Sequence, residues 1–313
     1  MVSPAIALLY PTLLASLAAN PNRTLFADER GTLYIIDTTE PDSMQIELQN
    51  IKDNVLKTTL QLYTRNNPQV GQPLNVGDKE SVKKSFWNPA HPTCFVIHGW
   101  RGDTEAGSAC ASIRDAYLSI GDYNVILVDW RKAAESPLYW EAVQSVPLVA
   151  ERVTKLIDFL QSEANLNPSN TKIIGHSLGG HLAGIAARFA KSKIAEIIAL
   201  DPAKPLFTSK GPGERVDKTD GNKVHVIHTS TLGLEESLGD ADFYPNGGKD
   251  QPGCGFSGLG CSHSRSHKYY AESIRNPRGF RAGKVFMGGP TLDPNAHGTY
   301  VLQTAKQPPF ALG

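Results

Sequence analysis

Several things are scarce in this sequence. Four of its 313 residues are cysteine and three are methionine, and neither sign of charge prevails, because 31 basic residues face 31 acidic ones. A balanced chain has no broad positive field to hold a phosphate backbone, which disfavours nucleic-acid binding. No internal run approaches the ~18 uninterrupted apolar residues that a bilayer span needs. Repeats and low-complexity tracts are missing too, and glycine plus proline make up about a sixth of the chain, below the level of a disordered polymer. What is present is 40% hydrophobic and 20% charged residues, enough to bury a proper core.

The even number of cysteines suits an oxidising compartment and allows three pairings. Cys94–Cys110 and Cys254–Cys261 are expected, since both close short local loops; each would stabilise by ~2–3 kcal/mol in the chain-entropy picture. Residues 4–19 carry no charge, and Ser16 and Ala18 are small residues at the −3 and −1 positions for cleavage after Ala18. That pattern reads as a secretory signal over residues 1–18, an extracellular protein, and one domain over 19–313. Asn22-Arg23-Thr24 is a glycosylation sequon close to the expected new terminus.

Residues 33–36, 44–48 and 56–64 alternate apolar and polar side chains, as half-buried strands of an antiparallel opening section do. From residue 94 the character changes. Runs at 94–97, 125–128, 173–174, 197–200 and 224–227 are short and nearly all apolar, which marks strands covered on both faces. Between them Trp140, Val143, Val146, Val149, Val153, Leu156, Ile157 and Leu160 step by three and four, as do Leu178, Leu182, Ile185, Ala186 and Phe189. The alternation predicts an α/β fold: a mixed, mostly parallel sheet with helices on both faces.

Gly175-His176-Ser177-Leu178-Gly179 matches G-x-S-x-G between a predicted strand and a predicted helix. A sharp strand-to-helix turn lifts a serine hydroxyl to the carboxyl edge of a sheet, above the positive end of the helix. Serine needs a base to take its proton and a third group to orient that base. Asp201 directly follows the strand at 197–200, so its carboxylate emerges at the same edge. Among nine histidines, His91, His225, His228 and His297 have no distinguishing local feature, and His176 and His181 flank the serine too closely to serve as base. His263 and His267 remain in Cys261-Ser262-His263-Ser264-Arg265-Ser266-His267, and spacing alone hardly separates them; a bridge at Cys261 would pin the loop that carries His263. Donors for an oxyanion are expected from the backbone N–H of Leu178 and, in His98-Gly99-Trp100 after the strand at 94–97, of Trp100.

Together these segments resemble the pancreatic-lipase family of secreted α/β-hydrolases. The resemblance rests on His98-Gly99-Trp100, Gly175 to His181, Leu200-Asp201-Pro202-Ala203, Phe243-Tyr244-Pro245-Asn246-Gly247-Gly248 and Cys261 to Ser266, in the family order over roughly residues 30 to 310. It implies an α/β-hydrolase fold with Ser177, Asp201 and His263 as catalytic triad, selecting His263 over His267, and with Trp100 and Leu178 as the oxyanion hole. It also implies a lid between Cys254 and Cys261, here enclosing only six residues with Phe256 and Leu259 as its apolar members, and a second surface loop of eleven residues between Ser230 and Asp242. In the family, short loops accompany phospholipases A1 and galactolipases, and long ones accompany triacylglycerol lipases. A six-residue lid cannot cover a wide apolar platform, which suits an amphiphile whose head group stays wet. The expected activity is therefore a phospholipase A1 acting at a membrane, micelle or lipid-droplet surface. The alternatives are a neutral-lipid or galactolipid lipase and, in another class, a non-catalytic lipid-binding protein of the yolk type. The family's C-terminal β-sandwich is not expected, so neither is colipase. No catalytic cofactor is implied; a structural calcium ion in the loop of Arg215, Asp217 and Asp220 is conceivable by resemblance, although Pro212 departs from that pattern.

Overall fold

The computed structural model describes residue 17 and residues 20–39, 48–255 and 258–313. Nearly all of the expected signal segment, most of the expected strand at 44–48, and Phe256 lie outside the described residues.

A hairpin of β1 (Arg23–Ala27) and β2 (Leu33–Asp37) comes first. It is followed by α1 (Leu48–Leu56), β3 (Thr59–Tyr63), β4 (Gln72–Pro73) and α2 (Lys79–Lys83). The central alternation is β5 (Thr93–Ile97), α3 (Ala109–Ile120), β6 (Asn124–Asp129), α4 (Arg131–Ala134), α5 (Tyr139–Glu163), β7 (Thr171–His176), α6 (Leu178–Phe189), β8 (Glu196–Leu200), β9 (Lys223–Ile227) and β10 (Ala241–Pro245). Helix α7 (Leu259–Arg275), the small ladder of β11 (Arg281–Ala282) and β12 (Val285–Phe286), and β13 (Gly298–Leu302) complete the chain.

Among the described residues, nine strands form one sheet in the order β13-β10-β9-β8-β7-β5-β6-β3-β4. Every pairing from β13 to β6 is parallel; β3 runs antiparallel between β6 and β4. The period of two along each strand divides the core. Phe95, Ile97, Ile126, Val128, Ile173, Ile197 and Val226 pack on one face under α5 and α6. Cys94, Val96, Val125, Leu127, Ile174, Ile198 and Leu200 pack on the other with α3 and α7. The strands β5 to β9 are buried on both faces, so the expected mixed, mostly parallel α/β sheet is the architecture found.

Three expectations change. Leu48 opens a helix rather than closing a strand, because Ile51 and Val55, four apart, form its buried stripe; the strand expected at 56–64 shortens to β3. His263 sits in a regular helix, α7, rather than in a bridged loop. Finally, only Cys254–Cys261 is a disulfide, whereas Cys94 and Cys110 are free and buried. Cys94 lies near the start of β5, and α3 begins beyond the strand's other end, so Cys110 in the helix's first turn is roughly a strand length away. Three residues of strand already span about 10 Å, beyond the ~7 Å that a disulfide can bridge between Cα atoms. The two thiols also have separate surroundings, Tyr117 and Lys172 for Cys94 and Arg114 for Cys110. Burial pushes the Cys94 thiol up to about 12 and that of Cys110 well above its usual range.

Candidate active site

Parallel pairing brings four chain segments out side by side. Ile97 is level with Gly175, His176 with Leu200, and Leu200 with Ile227, so the residues that follow β5, β7, β8 and β9 share one carboxyl rim. Gly99, Ser177, Asp201 and Thr229 are those residues.

The turn at Ser177 is built by the absence of side chains around it. A Cβ on Gly175 would sit 1.9 Å from the Gly179 carbonyl oxygen, and one on Gly179 would sit 2.6 Å from the carbonyl oxygens of both Ile97 and His98. Strand, turn and neighbouring strand thus touch backbone to backbone, which only glycine permits. Ser177 itself is held at φ 58° and ψ −121°, a conformation an L-residue keeps only when its surroundings enforce it. Its N–H donates to the Leu200 carbonyl and its carbonyl accepts from the Gly180 N–H. Leu178 opens α6, where N–H groups lie outside the intrahelical ladder.

The Asp201 carboxylate is fully buried and collects four donors. They are the Thr229 N–H at 2.7 Å, the Ser230 N–H at 3.1 Å, the Ser230 hydroxyl at 2.5 Å and His263 Nδ1 at 2.6 Å. A carboxylate only accepts, so Nδ1 carries the proton and the neutral ring keeps its lone pair on Nε2. His263 Nε2 and Ser177 Oγ are both buried and have no hydrogen-bond partner among the described residues. Burial pulls the His263 imidazolium below its usual range and His176 adds to that effect, while the hydrogen bond it donates to Asp201 works against both. His267, in contrast, lies one helical turn further along α7 against the His176 ring, and neither of its ring nitrogens has a partner among the described residues. The structure brings His263, not His267, to Asp201.

The Gly99–Trp100 loop presses on the serine turn: a Cβ on Gly99 would lie 2.8 Å from Ser177 Cβ. His98 braces this loop. Its Nε2 accepts the Trp130 N–H at 3.1 Å, leaving Nδ1–H to donate to the Gly99 carbonyl at 2.9 Å, and the Trp130 indole donates to the His98 carbonyl. Trp100 is buried with its indole N–H on the Ser136 carbonyl.

The β1–β2 hairpin covers this rim. The Phe26 ring lies 5.6 Å from that of His263 and 4.9 Å from that of Tyr139, and Tyr34 packs on Trp100. Ser177 is 2% exposed and His263 is 0% exposed. Beside the covered residues runs a groove of about 580 Å³. Leu25 of the hairpin, Lys204 and Leu206 after the acid, Leu232 of the surface loop, and Leu259 at the end of the bridged loop line it.

Sequence reasoning missed three groups here. Ser230 and Thr229 hold Asp201 from the end of β9. His228 and Asp242 form a second buried His–carboxylate pair at 2.8 Å, but the other His228 nitrogen bonds the Leu234 carbonyl, so the pair ties down the 230–242 loop and offers no free base. The third is Glu29, whose carboxylate reaches in from the hairpin tip. The carboxylates of the acidic loop after β8 are held by neighbouring groups. Asp220 accepts from Arg188 and from the Asp217 N–H, and the Asp217 carboxylate accepts from the Thr219 N–H. Among the described residues no group of three or more His, Cys, Asp or Glu side chains could hold a metal ion, and no helix is long and apolar enough to cross a membrane.

Comparison with known proteins gives the family. The chain is 40% identical over 228 residues to lipase member H-A of Xenopus laevis, covering 70% of this chain and 49% of that protein. It is 36% identical over 233 residues to pancreatic lipase-related protein 2 of Cavia porcellus, covering 72% and 53%. It is 36% identical over 250 residues to the pancreatic triacylglycerol lipase of Equus caballus, covering 72% and 54%. The chain thus spans about half the length of these curated relatives. The profile of the family described as lipase matches residues 35–285, a stretch that contains the serine turn, Asp201 and His263. On that match and those relatives, the chain belongs to the pancreatic-lipase family.

Proposed function

We propose that the protein is a serine carboxylester hydrolase of lipids, acting as a phospholipase A1 that releases the sn-1 fatty acid. The observation that carries this reading is the buried His263–Asp201 hydrogen bond of 2.6 Å, with the lone pair of Nε2 left unpartnered on the rim where Ser177 is held at φ 58°. In the proposed cycle His263 Nε2 takes the Ser177 proton as Oγ attacks the ester carbonyl carbon. Asp201 orients the ring and stabilises the imidazolium, and the N–H groups of Trp100 and Leu178 hold the oxyanion. His263 then protonates the leaving lysolipid oxygen, and water repeats the sequence on the acyl-enzyme. The low imidazolium pKa keeps the base neutral and ready in a site that excludes water.

The phospholipid assignment rests on the six-residue span between Cys254 and Cys261, too short to roof an apolar platform, beside a groove that mixes Lys204 and threonines with leucines. A triacylglycerol or galactolipid substrate is the second reading, and the name of one relative, a pancreatic triacylglycerol lipase, favours the former. We read the protein as acting outside the cell at a lipid surface; the Cys254–Cys261 bridge supports an oxidising compartment. The deciding experiment supplies a mixed-chain phosphatidylcholine, a galactolipid and a triacylglycerol and identifies the acid released. Release of the sn-1 acid from the phospholipid supports the assignment, and turnover of triacylglycerol alone replaces it. Ser177→Ala should abolish turnover and fluorophosphonate labelling; retained turnover, or a wild-type chain that takes no label, would point to a non-catalytic lipid-binding role.

A further inference from the structure

We propose that Glu29, at the tip of the β1–β2 hairpin, is a positioning residue for the oxyanion donors, fixing the Gly99–Trp100 peptide against the serine turn. This rests on the hydrolase reading above but concerns a residue upstream of the segment that matches the family. Three contacts carry it. The buried Gly99 N–H donates to Glu29 Oε1 at 3.0 Å. The same oxygen lies 3.4 Å from Nδ1 of His176, the residue before the nucleophile. The Glu29 carbonyl accepts from Ser264 Oγ at 3.1 Å, next to His263. One hairpin residue therefore touches the oxyanion loop, the serine turn and the helix that carries the base.

The clamp acts through peptide geometry. In a planar trans peptide the Trp100 N–H points opposite to the Gly99 carbonyl, so holding that carbonyl aims the N–H. His98 Nδ1–H at 2.9 Å and the Gly102 N–H at 3.1 Å hold it from one side. Glu29 holds the amide on the other side of the same glycine. Gly102 leaves the space the carboxylate needs, since a Cβ there would meet Glu29 Oε2 at 2.5 Å. Without Glu29 a buried N–H would lack its acceptor, and the loop would be free to relax away from Ser177. Glu29 is 5% exposed; burial alone would raise its carboxyl pKa, but His176, His98 and the Gly99 N–H together hold it below its usual range.

Two conservative variants separate position from charge. Glu29→Gln keeps reach and an acceptor oxygen but loses the charge; Glu29→Asp keeps the charge but withdraws the oxygens by about 1.5 Å. On a soluble p-nitrophenyl ester, with the full chain, Glu29→Gln should keep kcat within about threefold of wild type, while Glu29→Asp should lose about 10- to 100-fold in kcat with KM held within about twofold. Inactivation by a p-nitrophenyl phosphonate diester, which expels p-nitrophenol and leaves a phosphonyl group on Ser177 with its P=O oxygen where the oxyanion would sit, should slow in the same order. A Glu29→Asp enzyme with wild-type kcat, a Glu29→Gln enzyme as impaired as Glu29→Asp, or a loss confined to KM or to melting temperature overturns the inference. Ser177→Ala in the same assay tests the hydrolase reading separately: if it still turns over, that reading fails whatever Glu29 does.

Discussion

Replacing Gly99 by alanine puts one methyl group into the close contact between the Gly99–Trp100 loop and the serine turn. The new Cβ would stand 2.8 Å from Ser177 Cβ, 3.1 Å from the His176 carbonyl oxygen and 3.4 Å from Ser177 Oγ. Two carbons rest at about 3.5–4.0 Å, so loop and turn must part by roughly 0.7–1.2 Å. Neither side yields easily. The serine turn is wedged by Gly175 against the Gly179 carbonyl, and Gly99 is bonded through both its N–H and its carbonyl. A displacement of that size between nucleophile and oxyanion donors costs about 100-fold in rate, equivalent to ~2.7 kcal/mol of barrier. The same overpacking should lower stability by about 1–3 kcal/mol. Steady-state hydrolysis of a soluble ester together with a thermal melt reads both effects. Gly211→Ala is the control: a Cβ there meets nothing within 4 Å, and it should change stability by less than about 0.5 kcal/mol. A Gly99→Ala enzyme with kcat within about threefold of wild type and an unshifted melt would refute the reasoning that packing against Gly99 fixes the catalytic geometry.

The acid limb of the pH–rate profile should have its midpoint below about 6.5, because a lowered His263 pKa keeps the neutral base populated to more acidic pH; a midpoint above that value contradicts the burial argument. Stability should fall in the same direction. Burial pulls His181 down to about 3 and His225 to about 4, so each is neutral when folded and protonated when unfolded below about 6.5. Their contribution is complete above that pH and is lost toward pH 3–4, at up to about 1.4 kcal/mol per pH unit for each histidine; urea melts at pH 7, 5.5 and 4.5 that superimpose would exclude it. Replacing Cys254 and Cys261 by serine should cost about 2–3 kcal/mol for a loop this short, read in denaturant melts against the unmodified chain. Cys94 and Cys110 should resist an aqueous thiol reagent until the protein unfolds, and stoichiometric labelling of the native chain would contradict their burial.

The features legible in the sequence were those with a local cause. β5, β6, β7, β8 and β9 are buried on both faces and so read as continuous apolar runs. The serine turn was legible because backbone contact at Gly175 and Gly179 excludes every other residue. Helix α7 gave no apolar period because serines and histidines fill its buried face: Ser262 Oγ accepts the Gln251 N–H, Ser264 Oγ donates to Glu29 and Ser266 Oγ donates to the His263 carbonyl. Glu29 stands in Asp28-Glu29-Arg30-Gly31, which reads as a solvated charged turn; only the docking of the hairpin on the rim buries it. Cys94 and Cys110 failed for the opposite reason. In a strand-to-helix unit the chain travels the length of the strand before it returns, so closeness in sequence is not closeness in space.

The choice between His263 and His267 turns on axial level. Residues four apart share a helix face and differ by about 6 Å along the axis, so both rings can be buried on one side of α7, as they are. A base in this chemistry needs an acceptor for its Nδ1–H, and the Asp201 carboxylate is fixed at the rim where β8 ends by the N–H groups of Thr229 and Ser230. Helix α7 begins at that rim, and its first turns bring His263 Nδ1 to 2.6 Å from Asp201. His267, a turn further on, faces His176 and meets no carboxylate among the described residues; both of its nitrogens are unpartnered, and burial holds it neutral. A lone buried imidazole has basicity but no fixed tautomer and nothing to stabilise its charged form. Of these two histidines, the one at 263 has both.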